Sequence, residues 1–180
     1  MGTHIEVKRK DPKVAGSGQR IWFNVPRLAL GDLERIRDPE ANEVDAEDLF
    51  EIVYGDLADH LAATHAVIRC PYDWRQAPEK CAETLKDRIE QAARENPGQP
   101  IRLVAHSMGG LVARTLIRKH ADAWQKVVDS GGRLIMLGTP NNGAHLMVHT
   151  LLGKSDAMRM LEKMDREHGL QGLLDIIALA

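Results

Sequence analysis

Ser107 lies in the run Ile101-Arg102-Leu103-Val104-Ala105-His106-Ser107-Met108-Gly109-Gly110, where β-formers break into small residues around one hydroxyl before Leu111-Val112-Ala113-Arg114 resumes. Small residues at 105 and 109 are what a tight strand-to-helix turn through a strained serine requires, because larger side chains there would strike neighbouring backbone. Such a turn lifts the hydroxyl clear of the strand. It also leaves the Met108 N–H at a helix N-terminus, without an intrahelical acceptor and aided by the helix dipole. One turn therefore offers a nucleophile, Ser107, and a donor, Met108 N–H, for the oxyanion that forms in acyl transfer. The five-residue pattern is weak by itself, and a buried structural serine in a close-packed crossover is the alternative. His106 points away from its neighbour on such a turn, so it is read as a packing or hydrogen-bonding residue at the border of the site, not as the base for Ser107.

Other reactive residues carry plainer patterns. In Pro71-Tyr72-Asp73-Trp74-Arg75, Asp73 and Arg75 are spaced to form an ion pair that locks a loop, with Tyr72 and Trp74 packing at the edge of the site. Gly138-Thr139-Pro140-Asn141-Asn142-Gly143 is a turn whose Thr139 borders the same edge. His145 and His149 are four apart, as metal ligands on a helix can be. Residue 146 is leucine where a zinc protease has glutamate, and no third ligand is evident, so a solvated helix face is the reading. Cys70 and Cys81 fit no zinc spacing and are read as reduced core residues.

The elements that must position these groups follow from pattern. Apolar runs at 65–70, 101–105 and 133–137 read as strands, and the stretches between them have the length of helical crossovers. Pro78 opens a helix with the stripe Cys81, Leu85, Ile89, Ala92 and Ala93, which Asn96-Pro97-Gly98 stops. After Ser107, the stripe Met108, Leu111, Val112, Thr115 and Leu116 runs as a helix to about Lys119; an amphipathic stretch to Val128 and a Gly131-Gly132 turn follow. Residues 1–18 read as exposed loop, 20–25 as extended, 26–35 as a short helix, 45–64 as helix, and everything beyond 143 as helical. The fold class is α/β: parallel strands joined by right-handed crossovers form a mostly parallel, doubly wound sheet with helices on both faces. Sites in such sheets lie at strand C-terminal ends, so 72–75, 107–108 and 138–140 should converge on one edge.

With 43% hydrophobic residues in 180, residues 1–180 can build the core of one domain, with 144–180 a helical segment that serves as core cap or lid. The 24 basic and 26 acidic residues are interspersed and only 4% of residues are aromatic, which leaves no footprint for nucleic acid. No apolar run approaches the ~18 residues of a membrane span and no signal peptide is visible, so the chain is expected in the cytoplasm.

Together, Ala105-His106-Ser107-Met108-Gly109-Gly110, the preceding Pro71-Tyr72-Asp73-Trp74-Arg75 and the following Gly138-Thr139-Pro140-Asn141-Asn142-Gly143 resemble the α/β-hydrolase superfamily, within it the lipases and the lecithin:cholesterol acyltransferase-like family. The resemblance implies a partial catalytic domain, incomplete at both ends. Met1-Gly2-Thr3-His4-Ile5 is similar to the tail of the family's oxyanion-loop motif, which makes Gly2 the candidate second donor. The triad order is serine, acid, histidine. Asp156, Asp165, Asp175, His145, His149 and His168 all fall in stretches read as helix, so the triad acid and histidine are expected outside this chain. The implied function is hydrolysis or transfer of acyl groups on lipid-like carboxylic esters through acyl-Ser107, with no metal or organic cofactor. The rivals are a catalytically silent fragment that binds a partner, and a thioesterase or peptidase on the same fold. Strand edges left open imply self-association.

Overall fold

The structure, a computed structural model, describes residues 3–7, 32–38 and 44–179. Two compact units divide the chain: one is the continuous stretch Asp56–Gly143, and the other combines chain up to Gly55 with chain from Ala144 onward.

The continuous unit holds the parallel pair β3 (Arg102–His106) and β4 (Arg133–Leu137), in register from Arg102 opposite Arg133 to His106 opposite Leu137. Parallel strands need a crossover, and here it is the helices α3 (Met108–Lys119) and α4 (Ala121–Asp129). Helix α2 (Pro78–Glu95) precedes β3, with Pro78 in its first turn, where the missing N–H costs nothing, and Asn96 as its C-cap. Cys81, Ala82 and Ile89 of α2, Val112 and Leu116 of α3 and Val127 of α4 form the buried core, with Tyr72, Leu85, Ile101, Leu103 and Trp124 packed around it. Leu103 lies on the inner face of β3. Val104, Ile135 and Leu137, from the opposite face, are exposed. The start of the sheet is tight: a Cβ on Gly132 would overlap the Ile101 carbonyl oxygen and lie 2.7 Å from that of Val127. The Ser130 hydroxyl accepts from Ile101 N–H (3.1 Å) and donates to Val127 O (2.8 Å), fixing the entry to β3 against the end of α4.

The second unit contains the antiparallel pair β1 (Thr3–Val7) and β2 (Val44–Leu49), with an irregular register between Thr3 and Ile5, and a 3-10 turn at Asp32–Ile36. Helix α1 (Glu51–Ala62) follows β2. Helices α5 (His145–Leu151), α6 (Asp156–Met164) and α7 (Leu170–Leu179) complete this unit. Ile36, Met158, Leu161, Leu173 and Ile176 are its buried apolar residues. Ser155 caps α6, its hydroxyl accepting from Met158 N–H (3.2 Å).

Several expectations are corrected. Residues 3–7 are strand, not exposed loop, and 44–49 are strand, not the start of a helix. Thr3, Ile5 and Val7 alternate with His4 and Glu6, and Val44 and Ala46 with Asp45 and Glu47, but so short a period is hidden by polar neighbours; the acids of 45–48 also imitate a first helical turn. Residues 65–70 are not a strand. Apolar composition suits them to a ladder, yet no strand among the described residues pairs with them, so the sheet has two parallel strands where three were expected. In the stretch read as a helix at 26–35, the described part is a 3-10 turn at 32–36; 20–25 and 26–31 lie outside the described residues. Asp165 and His168 sit in the link between α6 and α7, not within a helix.

Candidate functional site

Because β3 and β4 run parallel and in register, their C-terminal ends lie side by side, and the chain leaves each at the same edge. Ser107 follows β3 directly and is the N-cap residue of α3, with φ 53° and ψ −124°. It is the one non-glycine residue with positive φ among the described residues. An L-residue held there costs on the order of 1–3 kcal/mol, and it persists only where surroundings over-determine it. Those surroundings are visible: Ser107 N–H donates to the Leu137 carbonyl oxygen at the end of β4 (2.8 Å), and Gly110 N–H donates to Ser107 O (3.1 Å). The Ser107 side chain makes no capping bond to α3. Met108 is the first residue of α3, so helix geometry gives its N–H no intrahelical acceptor.

Which glycine the turn needs differs from expectation. A Cβ on Gly109 would meet Tyr72 Oη at 3.8 Å and the Ala105 Cβ at 3.9 Å, which is ordinary contact. A Cβ on Gly110 would overlap Thr139 Oγ1 and lie 2.6 Å from its Cγ2. Sequence reading missed Gly110; the doubled glycine after Met108 was the available signal. The same measurements bring Tyr72 to Gly109 and Thr139 to Gly110, so the segments after 70 and after β4 do meet the serine turn.

Asp73 and Arg75 make the expected ion pair. Arg75 Nε donates to Oδ1 (2.8 Å) and Nη2 to Oδ2 (2.6 Å), and the Arg75 N–H also reaches Oδ1 (3.1 Å). The Arg75 side chain is 1% exposed, so this is a buried bidentate pair that shapes the 71–76 turn from within. The Cys81 thiol donates to the Asp73 carbonyl oxygen (3.3 Å), joining that turn to α2. Burial, with the Asp73 carboxylate next in weight, pushes the Cys81 thiol up to about 11, and burial raises Cys70 as well; both cysteines are free thiols. Neither is a thiolate nucleophile near neutrality. Trp74 is half-buried, and His106 is exposed on the outer face of β3. Gly2, the second oxyanion candidate, lies outside the described residues.

In the other unit, Asp165 and His168 form a pair that the sequence did not reveal. Asp165 Oδ1 accepts from the N–H groups of Glu167 (2.8 Å) and His168 (2.9 Å), and Oδ2 faces His168 Nδ1 at 3.0 Å. Burial pushes the Asp165 carboxyl up, but these three donors together outweigh it and hold the group below the ordinary carboxylate value. His168 Nε2 is 3.9 Å from Glu34 Oε2, and Glu34 in turn accepts from Arg37 (2.7 Å). The His145 and His149 rings touch, with centroids 4.5 Å apart. Among the described residues, no group of three or more His, Cys, Asp or Glu side chains is arranged for a metal ion.

The sequence model of the lecithin:cholesterol acyltransferase family matches residues 49–168, more than half of the chain. The chain belongs to this family. No curated protein and no solved structure matches it significantly. As a member of the lecithin:cholesterol acyltransferase family the chain has an α/β fold of the α/β-hydrolase kind, and the matched span holds the Asp73–Arg75 turn, the Ser107 turn and the Gly138–Gly143 loop. Family membership associates it with lipid acyl esters, as acyltransferase or hydrolase. No helix among the described residues is long and apolar enough to cross a membrane.

Proposed function

We propose that this member of the lecithin:cholesterol acyltransferase family is a serine-dependent acyl-ester hydrolase or acyltransferase that acts on lipid-like carboxylic esters through acyl-Ser107. The supporting observation is the backbone of Ser107, φ 53° and ψ −124° at the β3–α3 junction. Strain of this kind, at the C-terminal edge of a parallel pair, is where an α/β sheet presents a nucleophile.

The chemistry runs in two balanced halves. Ser107 Oγ bonds to the ester carbonyl carbon while its proton passes to a base; the carbonyl oxygen, now anionic, is held by Met108 N–H, and collapse expels the alcohol, which takes that proton. Water or an acceptor alcohol then repeats the steps on the acyl-serine, giving acid or new ester and restoring the hydroxyl. We place the base and its carboxylate outside these residues. The turn and the helix N-terminus alone still make Ser107 more reactive than an ordinary serine, at a rate orders of magnitude below that of a complete triad.

The test is a fluorophosphonate probe on the folded chain, with the modified residue located by mass spectrometry and Ser107→Ala as control. Slow, selective labelling at Ser107 that the variant loses is the expected outcome. Fast stoichiometric labelling would locate the base within these residues. A folded sample that takes no label would overturn the proposal and leave a silent binding module.

A further inference from the structure

The loop after β4 is tied to the serine turn at three points in succession. Leu137 O accepts from Ser107 N–H (2.8 Å); Thr139 sits over Gly110, where a Cβ would overlap its hydroxyl and lie 2.8 Å from its own Cβ; and Asn141 Oδ1 accepts from Arg114 Nη1 (2.8 Å), one turn further along α3. The middle point is the one that involves a buried residue, Gly110. Thr139 Oγ1 has essentially no exposed surface and, among the described residues, no hydrogen-bond partner. A hydroxyl buried without a partner costs about 1–3 kcal/mol, so its removal takes away no bond. What Thr139 supplies is branched bulk in the space that Gly110 leaves open.

We infer that Thr139 is a positioning residue for Ser107: its branched side chain, keyed into the gap at Gly110, holds the end of β4 against the first turn of α3 and so keeps Ser107 in its strained backbone conformation. The inference rests on Ser107 as the nucleophile for its catalytic meaning, but the mechanical part stands independently. A strained residue relaxes when one of its constraints goes, and Ser107 is held by few. Without the bulk at 139 the loop withdraws from α3, and the Ser107 N–H···O=C Leu137 bond opens more often. A displaced nucleophile loses rate steeply, because a shift of about 1 Å can cost on the order of a hundredfold.

Three variants and two readouts test this. Thr139→Gly removes the bulk, Thr139→Val keeps it without the hydroxyl, and Thr139→Ser keeps the hydroxyl without the methyl. The first readout is fluorophosphonate labelling of Ser107, separated into probe affinity and limiting rate at saturation. The second is amide hydrogen exchange at Ser107, referred to the Asn96 amide, which bonds to Ala92 O at the end of α2. Thr139→Gly should lower the limiting rate by at least about tenfold with probe affinity little changed, and should speed exchange at Ser107 but not at Asn96. Thr139→Val should restore both, and Thr139→Ser should fall between. A general loss of stability would speed both amides alike and would overturn the inference, as would a Thr139→Gly protein with wild-type rate and wild-type Ser107 exchange. Loss of labelling in Thr139→Val equal to that in Thr139→Gly would also overturn it, in favour of a role for the hydroxyl. If the wild-type chain takes no label at all, the nucleophile reading falls and the exchange comparison alone decides the positioning.

Discussion

Removing the Asp73 carboxylate would leave a guanidinium buried without its bidentate partner. Asp73→Ala is therefore expected to cost about 3 kcal/mol of stability, toward the lower end of what one-sided loss of a buried pair brings. Urea unfolding checks it, and an unchanged midpoint would show that the pair contributes nothing. This pair was legible in the sequence, since acid and base flank one aromatic in a short proline-led turn. The Asp165–His168 pair was not, because Asp165-Arg166-Glu167-His168 reads equally well as the end of a helix, and only the chain reversal before α7 brings the imidazole onto the carboxylate. That pair carries a pH signature. The Asp165 carboxyl titrates below its ordinary value in the folded chain, so the unfolded state binds more protons as pH falls, and the stability it contributes is present above about pH 4 and is lost as pH drops through the folded value. Asp165→Asn should flatten the dependence of the melting temperature on pH below about 4; an unaltered slope would assign the acid sensitivity to other carboxylates.

Elements announced themselves in proportion to how much of their definition is local. Helices α2, α3 and α4 each have an apolar stripe inside their own sequence, α2 with a proline start and an asparagine stop as well, and their positions were read to within a residue or two. Strands β3 and β4 were read as well, each being a compact apolar run bounded by turn residues. The larger failures are strands, because a strand exists through its partner: 65–70 has the composition without the ladder, whereas 3–7 and 44–49 have a ladder that their mixed composition concealed. The turn before β4 offers a test at this scale. At Gly132 the neighbours are carbonyl oxygens of the backbone, which cannot swing aside as a side chain can. Gly132→Ala should cost about 3 kcal/mol, with loss of the Ile101 and Arg133 amide protection that marks the start of the sheet. Full stability in that variant would mean that β3 and α4 separate more easily than their contacts imply.

At the scale of the whole molecule, the β3–β4 pair ends in open edges among the described residues, and its outer face exposes Val104, Ile135 and Leu137. An edge of this kind is a template for another copy, and self-association that rises with concentration is expected in light scattering. Val104→Lys with Ile135→Lys should suppress it while leaving the core untouched; a wild-type chain that stays monomeric throughout would rule the edge out. The division into units has a different consequence, one of timing. The unit that carries Ser107 is a continuous stretch and leaves the ribosome whole. The other is written in two instalments: its 3-10 turn, with Ile36 and Glu34, is made before the Ser107 unit, but α6, α7 and the Asp165–His168 link that these residues meet are made after it. Closing so long a loop adds entropy only logarithmically, so the cost is small in free energy and large in waiting. While the Ser107 unit is being made the first instalment stays without its counterpart, and a nascent chain stalled near residue 143 should show a protease-resistant Ser107 unit while the segment around Ile36 is still cut.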